Sequence, residues 1–183
     1  MQSFILIHHK TQDRVNEMAE WYEIYTKERI PTGKTRARYE MLRDGEYRLG
    51  AEIWIFHPDG RLMVTKRHPE KREYPGLWEC TGGFVCAGET TKDTILREVR
   101  EEIGLSLSPS DVRLITTELS GPQFLDLYTA TADVAIEALI LQPEEVTDAR
   151  WVTWDALTDM RDRGEFIDFV YDRIARNRKK SAP

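Results

Sequence analysis

Residues 90–105, TTKDTILREVREEIGL, constrain this chain more than any other stretch. Leu96, Val99 and Ile103 recur at the 3.6-residue period of a helix with one buried face. Thr90 or Thr91 suits the N-cap, and Gly104 suits the C-terminal stop. Glu98, Glu101 and Glu102 then stand at i, i+3 and i+4, a spacing at which like charges repel. At about 100° per residue, the acids centre about 130° from the apolar stripe, so they do not face the core. The plain reading is a solvated face, with Asp93 and Arg97 as an acid-first ion pair. A second reading is a site for a hard divalent cation, which prefers oxygen ligands held rigidly together. The loop just before the helix, CTGGFVCAGE, carries glycines that let backbone approach a ligand closely.

The spacing extends further. Residues 83–105 read GFVCAGETTKDTILREVREEIGL. This resembles the Nudix box, Gly-x5-Glu-x7-Arg-Glu-U-x-Glu-Glu-x-Gly-U, with U a bulky aliphatic residue. The matching positions are Gly83, Glu89, Arg97, Glu98, Val99, Glu101, Glu102, Gly104 and Leu105. The resemblance implies an α/β fold, an α/β/α sandwich with a central mixed β-sheet. It also implies a hydrolase that cleaves a diphosphate linked to another moiety, with Mg²⁺ or Mn²⁺ as cofactor. By the same resemblance Glu98, Glu101 and Glu102 are the metal ligands, with the backbone carbonyl of Gly82 completing the set. Arg97 orients the glutamates, and Glu89 pairs with Arg97 or reaches a metal through water. The base that activates water is either a box glutamate or a later one, for which Glu145 in QPEEVTDARW stands as candidate beside its reading as a solvated loop acid.

Outside the box, EWYEIYTKERIPTGKT, GEYRLGAEIWIF, KRHPEKREYPGLWECTGG and EEVTDARWV resemble Nudix proteins related to isopentenyl-diphosphate isomerase, over residues 21–165. That isomerase moves a proton across a double bond and hydrolyses nothing. The resemblance would place its catalytic cysteine at position 82 or 83, where this chain has glycines, with Cys80 and Cys86 to either side. The isomerase's metal histidines are also missing: Arg48 stands at the strand entry, and the loop has Phe84 and no His. An intact box favours hydrolysis. A Nudix module that only senses a ligand is a further alternative, although it has no need of three metal glutamates.

The remaining sequence reads as one domain with additions. Residues 46–183 form the expected Nudix domain, and residues 1–45 an N-terminal extension packed on it. Residues 12–28 begin as helix by the spacing of Val15, Met18, Ala19 and Tyr22, followed by strand pieces and turns. LGAEIWIFHPDGRLMVTKR predicts a hairpin turned at HPDG. VRLITTEL, FLDLYTATADVAIEAL and ARWVTW predict strands; DALTDMRDRG and EFIDFVYDRIARNRKK predict helices. Arg48, Lys66, Arg67 and Lys71, with Arg72, are basic enough to receive phosphate oxygens, or form a solvated basic loop. Trp78, Phe84 and Phe124 suit either core packing or stacking on a ligand.

A net charge of −6 argues against a stable nucleic-acid partner, because coating a phosphate backbone needs a concentrated basic surface. A small diphosphate substrate is the expected partner, and the family resemblance allows a homodimer. Two cysteines cannot close a four-ligand zinc site, so both are expected as free thiols. No apolar run reaches the roughly 20 residues of a membrane span, and the N-terminus lacks a basic leader, so the expectation is a cytoplasmic protein without a membrane partner. No Gly-x-Ser-x-Gly elbow or P-loop is present.

Overall fold

The computed structural model describes residues 21–181. In chain order the elements are β1 (Trp21–Tyr25), β2 (Pro31–Ala37), β3 (Arg48–Phe56), β4 (Leu62–Arg67), β5 (Trp78–Glu79), β6 (Gly82–Phe84), α1 (Thr91–Ile103), β7 (Arg113–Ser120), β8 (Gln123–Thr131), β9 (Val146–Val152), α2 (Trp154–Asp162) and α3 (Asp168–Ser181). A single 3₁₀ turn, Ile136–Ala138, lies between β8 and β9.

The hairpin of β3 and β4 governs the architecture by coming apart. Its strands pair at Phe56 and Leu62, beside the turn, and then part. β3 takes β8 as a parallel partner, in register from Arg48 with Gln123 to Phe56 with Thr131, and takes β6 as an antiparallel partner. β4 takes β5 and β9 instead. The chain from β5 to β6 therefore crosses the split, and Cys80, Thr81 and Gly82 lie in the crossing. β7 closes the far side against β8.

Two cores cover the two faces, as strand alternation requires. On one, Ala51, Ile53, Ile55 and Met63 pack against Ile95, Val99 and Ile103 of α1. On the other, Trp54, Val64, Trp78 and Leu127 pack against Leu157 and Met160 of α2 and Val170 and Ile174 of α3. This is the expected α/β/α sandwich around a mixed sheet. Trp78 belongs to the core. No helix among the described residues is long and apolar enough to cross a membrane.

Three expectations change. Of the helix expected over residues 12–28, residues 12–20 lie outside the described residues, and Trp21–Tyr25 is a strand. Tyr22 and Ile24 are buried together on its inner face, and β1 pairs with β2. The strand expected to run through residue 139 ends at Thr131, because its partner β3 ends at Phe56 and offers no further ladder. The inward face of α1 takes Ile95 fully into the core, while Leu96 is only half-buried.

Candidate active site

The site is built on α1 and the two glycines before it. Thr90 caps the helix: its side chain accepts from the Asp93 amide, and the Asp93 carboxylate accepts from the Thr90 amide. This reciprocal pair satisfies two orphan donors of the first turn. Gly104 ends the helix at φ 69°, with its amide bonded to the Arg100 carbonyl. A side chain there would be strained and would meet Ile140 at 2.9 Å.

Gly83 is the closest approach in the site. A Cβ on Gly83 would lie 2.2 Å from Glu98 Oε1, so the missing side chain is what lets this carboxylate rest on the backbone of β6. Gly82 precedes it, paired with Glu52 across β3.

Arg97 gathers the acids. Its Nε donates to Glu89 at 2.8 Å, and one terminal nitrogen donates to both Glu98 and Glu101 at 3.0 Å. The other donates to Glu89 at 3.1 Å and lies 3.9 Å from the Cys86 sulfur. Glu89 also accepts from the Thr94 hydroxyl at 2.8 Å. Burial pushes the Glu89 carboxyl up, but the bonds from Arg97 and Thr94 outweigh it and hold Glu89 below the usual carboxylate range. Glu102 moves the other way. Burial, then the carboxylates of Glu98 and Glu79, push it well up, with Lys71 and Arg67 pulling only partly against them.

Among the described residues, no group of three His, Cys, Asp or Glu side chains is arranged to hold a metal ion. Arg97 draws Glu98 and Glu101 to itself, which offsets their repulsion. The residues nevertheless fit a divalent cation. The donor set is carboxylate oxygen, the preference of Mg²⁺ and Mn²⁺, and Glu98 lies close enough to Glu102 for their charges to repel.

Of the basic residues expected at the substrate, Lys71 and Arg67 act on Glu102, whereas Lys66 lies on the side of Trp78 and the other core. Lys71 forms an ion pair with Glu145, joining two residues given separate roles above. Arg67 pairs with Glu79 and donates from Nε to the Glu73 carbonyl at 2.9 Å. Lys66 lies 5.8 Å from the centre of the Trp78 ring. The Arg48 guanidinium stacks on Phe84 at 3.9 Å, and its buried Nε has no hydrogen-bond partner. Phe124 packs against Tyr47. Arg72 lies 5.4 Å from the centre of the Tyr39 ring.

Two acids escaped sequence reasoning. Glu79 stands half-buried beside Arg67, its carboxyl raised by burial. Glu52, on β3, is buried, accepts from the Trp54 indole at 2.8 Å and pairs with Arg173 of α3. Glu79 follows Trp78 in LWECTGG, a position no periodic pattern distinguishes. Glu52 sits inside an apolar run, where an isolated acid was the available signal.

A NUDIX domain model matches residues 46–170. The chain is 37% identical over 155 residues to an uncharacterized Nudix hydrolase of Listeria monocytogenes, covering 84% of this chain and 91% of that protein. It is 29% identical over 128 residues to the isopentenyl-diphosphate Δ-isomerase of Escherichia coli, covering 67% and 70%. Among solved structures, a Deinococcus radiodurans protein superposes with a TM-score of 0.71 at 22% identity, over 86% of this chain and 99% of that one. A MutT protein of Methanosarcina mazei gives 0.56 at 20% identity, over 75% and 96%. These two show likeness of fold. The domain match over most of the chain, together with the likeness to the Listeria protein, establishes that this chain belongs to the Nudix family and is a Nudix hydrolase, a pyrophosphohydrolase acting on a diphosphate-containing substrate.

Proposed function

We propose that the chain hydrolyses a diphosphate bond in a nucleoside-diphosphate-linked or similar substrate, with Mg²⁺ or Mn²⁺ held by Glu98, Glu101, Glu102 and the Gly82 carbonyl. The observation that carries this reading is the contact of Glu98 with the backbone at Gly83, which brings an acid of α1 to the glycine crossing. A bound divalent cation supplies charge neutralisation on the diphosphate and a lowered pKa for water. The protein's own part is to hold the acids and receive the phosphates. Arg97, hydrogen-bonded to Glu89, Glu98 and Glu101, fixes carboxylates that would otherwise repel. Arg48, Lys66, Arg67 and Lys71 meet phosphate oxygens in a site whose catalysis is electrostatic. Lys71 turning toward phosphate would free Glu145, which then serves as base alongside the box glutamates.

Isomerisation is the second reading, favoured by the 29% identity to the E. coli isomerase. Cys80 opposes it, being buried with its pKa pushed well up by burial, which disfavours a reactive thiolate.

The test is release of phosphate, after phosphatase coupling, from nucleotide sugars, dinucleoside polyphosphates, ADP-ribose, NADH and prenyl diphosphates, each with Mg²⁺ and with Mn²⁺. Turnover is expected in wild type and a loss of at least about 100-fold in Glu101→Gln with an unchanged melting temperature. Wild-type rates in that variant would refute the metal assignment. Double-bond migration in isopentenyl diphosphate without phosphate release would favour the isomerase.

A further inference from the structure

On the face of the sheet opposite α1, a cavity of about 490 Å³ opens beneath α3. That is the size of a small-molecule site. Gly82 and Gly83 form part of its wall, so it adjoins the backbone on which Glu98 rests. A substrate with its diphosphate at that crossing has this cavity as space for the group on the far side of the reacting bond.

Three aromatic rings stand in the lining; Phe84 is stacked under the Arg48 guanidinium, and the other two meet each other. Tyr74, from the loop after β4, and Phe169, from the first turn of α3, meet edge to face with centroids 5.4 Å apart. Both are 45% exposed, unusual for large rings that pack against each other across two elements. Tyr74 also holds a left-handed backbone, φ 50°, which a bulky residue rarely adopts. Such strain persists where surroundings impose it, and it clusters at ligand clamps. Here the imposing contacts come from the site itself. Arg67, paired with Glu79, bonds the Glu73 carbonyl at the peptide entering Tyr74, and the Leu77 amide bonds the Tyr74 carbonyl at 3.3 Å. The Arg173 guanidinium lies 5.4 Å from the centre of the Phe169 ring.

The other walls carry charge, with Glu52, Glu118 and Asp172 facing the same space as Arg48, Arg173 and Arg176. Glu52 and Arg173 are already buried as an ion pair, but an isoprenoid chain placed there would take Arg48, Asp172 and Arg176 from water and return no hydrogen bonds, a costly exchange. A planar heterocycle offers an aromatic face to the rings and N–H and C=O edges to the charges.

We propose that Tyr74 and Phe169 form the specificity corner of this enzyme, on which a flat, polar-edged heterocycle of the substrate stacks, and that prenyl diphosphates are rejected. The inference rests on the reading above for where the diphosphate lies.

The experiment compares wild type with Tyr74→Gly and Phe169→Leu. Glycine adopts the left-handed backbone without strain, so Tyr74→Gly removes the ring while the melting temperature holds or rises. Steady-state kinetics use ADP-ribose, phosphoribosyl diphosphate and geranyl diphosphate, and a metal-free titration measures ADP-ribose binding directly. We expect KM for ADP-ribose to rise about tenfold in each variant, the scale of a lost base–aromatic stack, with a much smaller change for phosphoribosyl diphosphate, which lacks the heterocycle. Turnover of ADP-ribose with an unmoved KM in both variants overturns the corner and leaves the hydrolase reading standing, as does wild-type preference for geranyl diphosphate. Absence of turnover on every probe, with metal-free ADP-ribose binding weakened tenfold in the variants, supports the corner and refutes the hydrolase reading. Absence of ADP-ribose binding and turnover in wild type overturns the inference.

Discussion

Gly83 shows how one absent side chain shapes this site. A methyl group there would stand 2.2 Å from Glu98 Oε1 and 2.6 Å from Cδ. The obstacle is the end of a flexible side chain, so in Gly83→Ala the carboxylate yields and the fold survives. We expect a stability change within about 1 kcal/mol. Activity should fall by about 100-fold, because an ångström of misplacement at a reacting centre costs that much. Thermal melting beside kcat/KM checks this; an active Gly83→Ala variant would show that the position of Glu98 is immaterial. Arg97 illustrates the complementary point. Three acids share its guanidinium, an arrangement that a point charge such as lysine cannot reproduce.

At the scale of elements, the N-terminal hairpin is joined to the domain by backbone bonds of Trp21 and Tyr25, by Tyr25 packed with Leu49 and Val85, and by one long side-chain reach. Arg29, between β1 and β2, donates twice to buried Asp126 of β8, at 2.9 and 2.5 Å. Thr117 and Thr91 also donate to Asp126, each at 2.6 Å, and Thr91 is the first residue of α1. The pair thus joins the hairpin, the sheet and the start of the acid-bearing helix. Burial pushes the Asp126 carboxyl up, but the bonds from Arg29, Thr117 and Thr91 outweigh it and leave it below the ordinary aspartate value. A depressed carboxylate contributes stability above its unfolded pKa and loses it as pH falls through the folded one. Arg29→Leu should therefore cost about 1–3 kcal/mol near neutral pH, with the gap from wild type closing in acid below the aspartate range. Denaturant titrations at several pH values check it; a gap that is constant with pH would contradict the linkage. A threonine cap, at Thr90 or Thr91, and the Gly104 stop were legible in the sequence because capping is local chemistry. The end of β8 was not, since it depends on where β3, its non-adjacent partner, turns away.

For the whole molecule, the decisive event is the parting of β3 and β4 beyond Phe56 and Leu62. It opens the gap that β5 and β6 cross, and it sets the glycine crossing between the acids of α1 on one face and the cavity under α3 on the other. The hairpin itself was readable from HPDG and its flanking apolar strands. Its divergence was not, because both strands keep the same alternating pattern whether they pair with each other or with β8 and β9. The same limit hid the pairing of Glu52 with Arg173, which lie 121 positions apart. The acid stripe of α1 was legible in full, since one helix and its spacing contain it. The central claim is that this stripe serves attack of water on phosphorus, and hydrolysis of the best panel substrate in ¹⁸O-labelled water tests it most directly. The account predicts one ¹⁸O atom in a phosphate-bearing product for wild type with Mg²⁺, and no labelled product above background for Glu101→Gln. Label-free phosphate products, or a labelled product formed equally fast by Glu101→Gln, would contradict it.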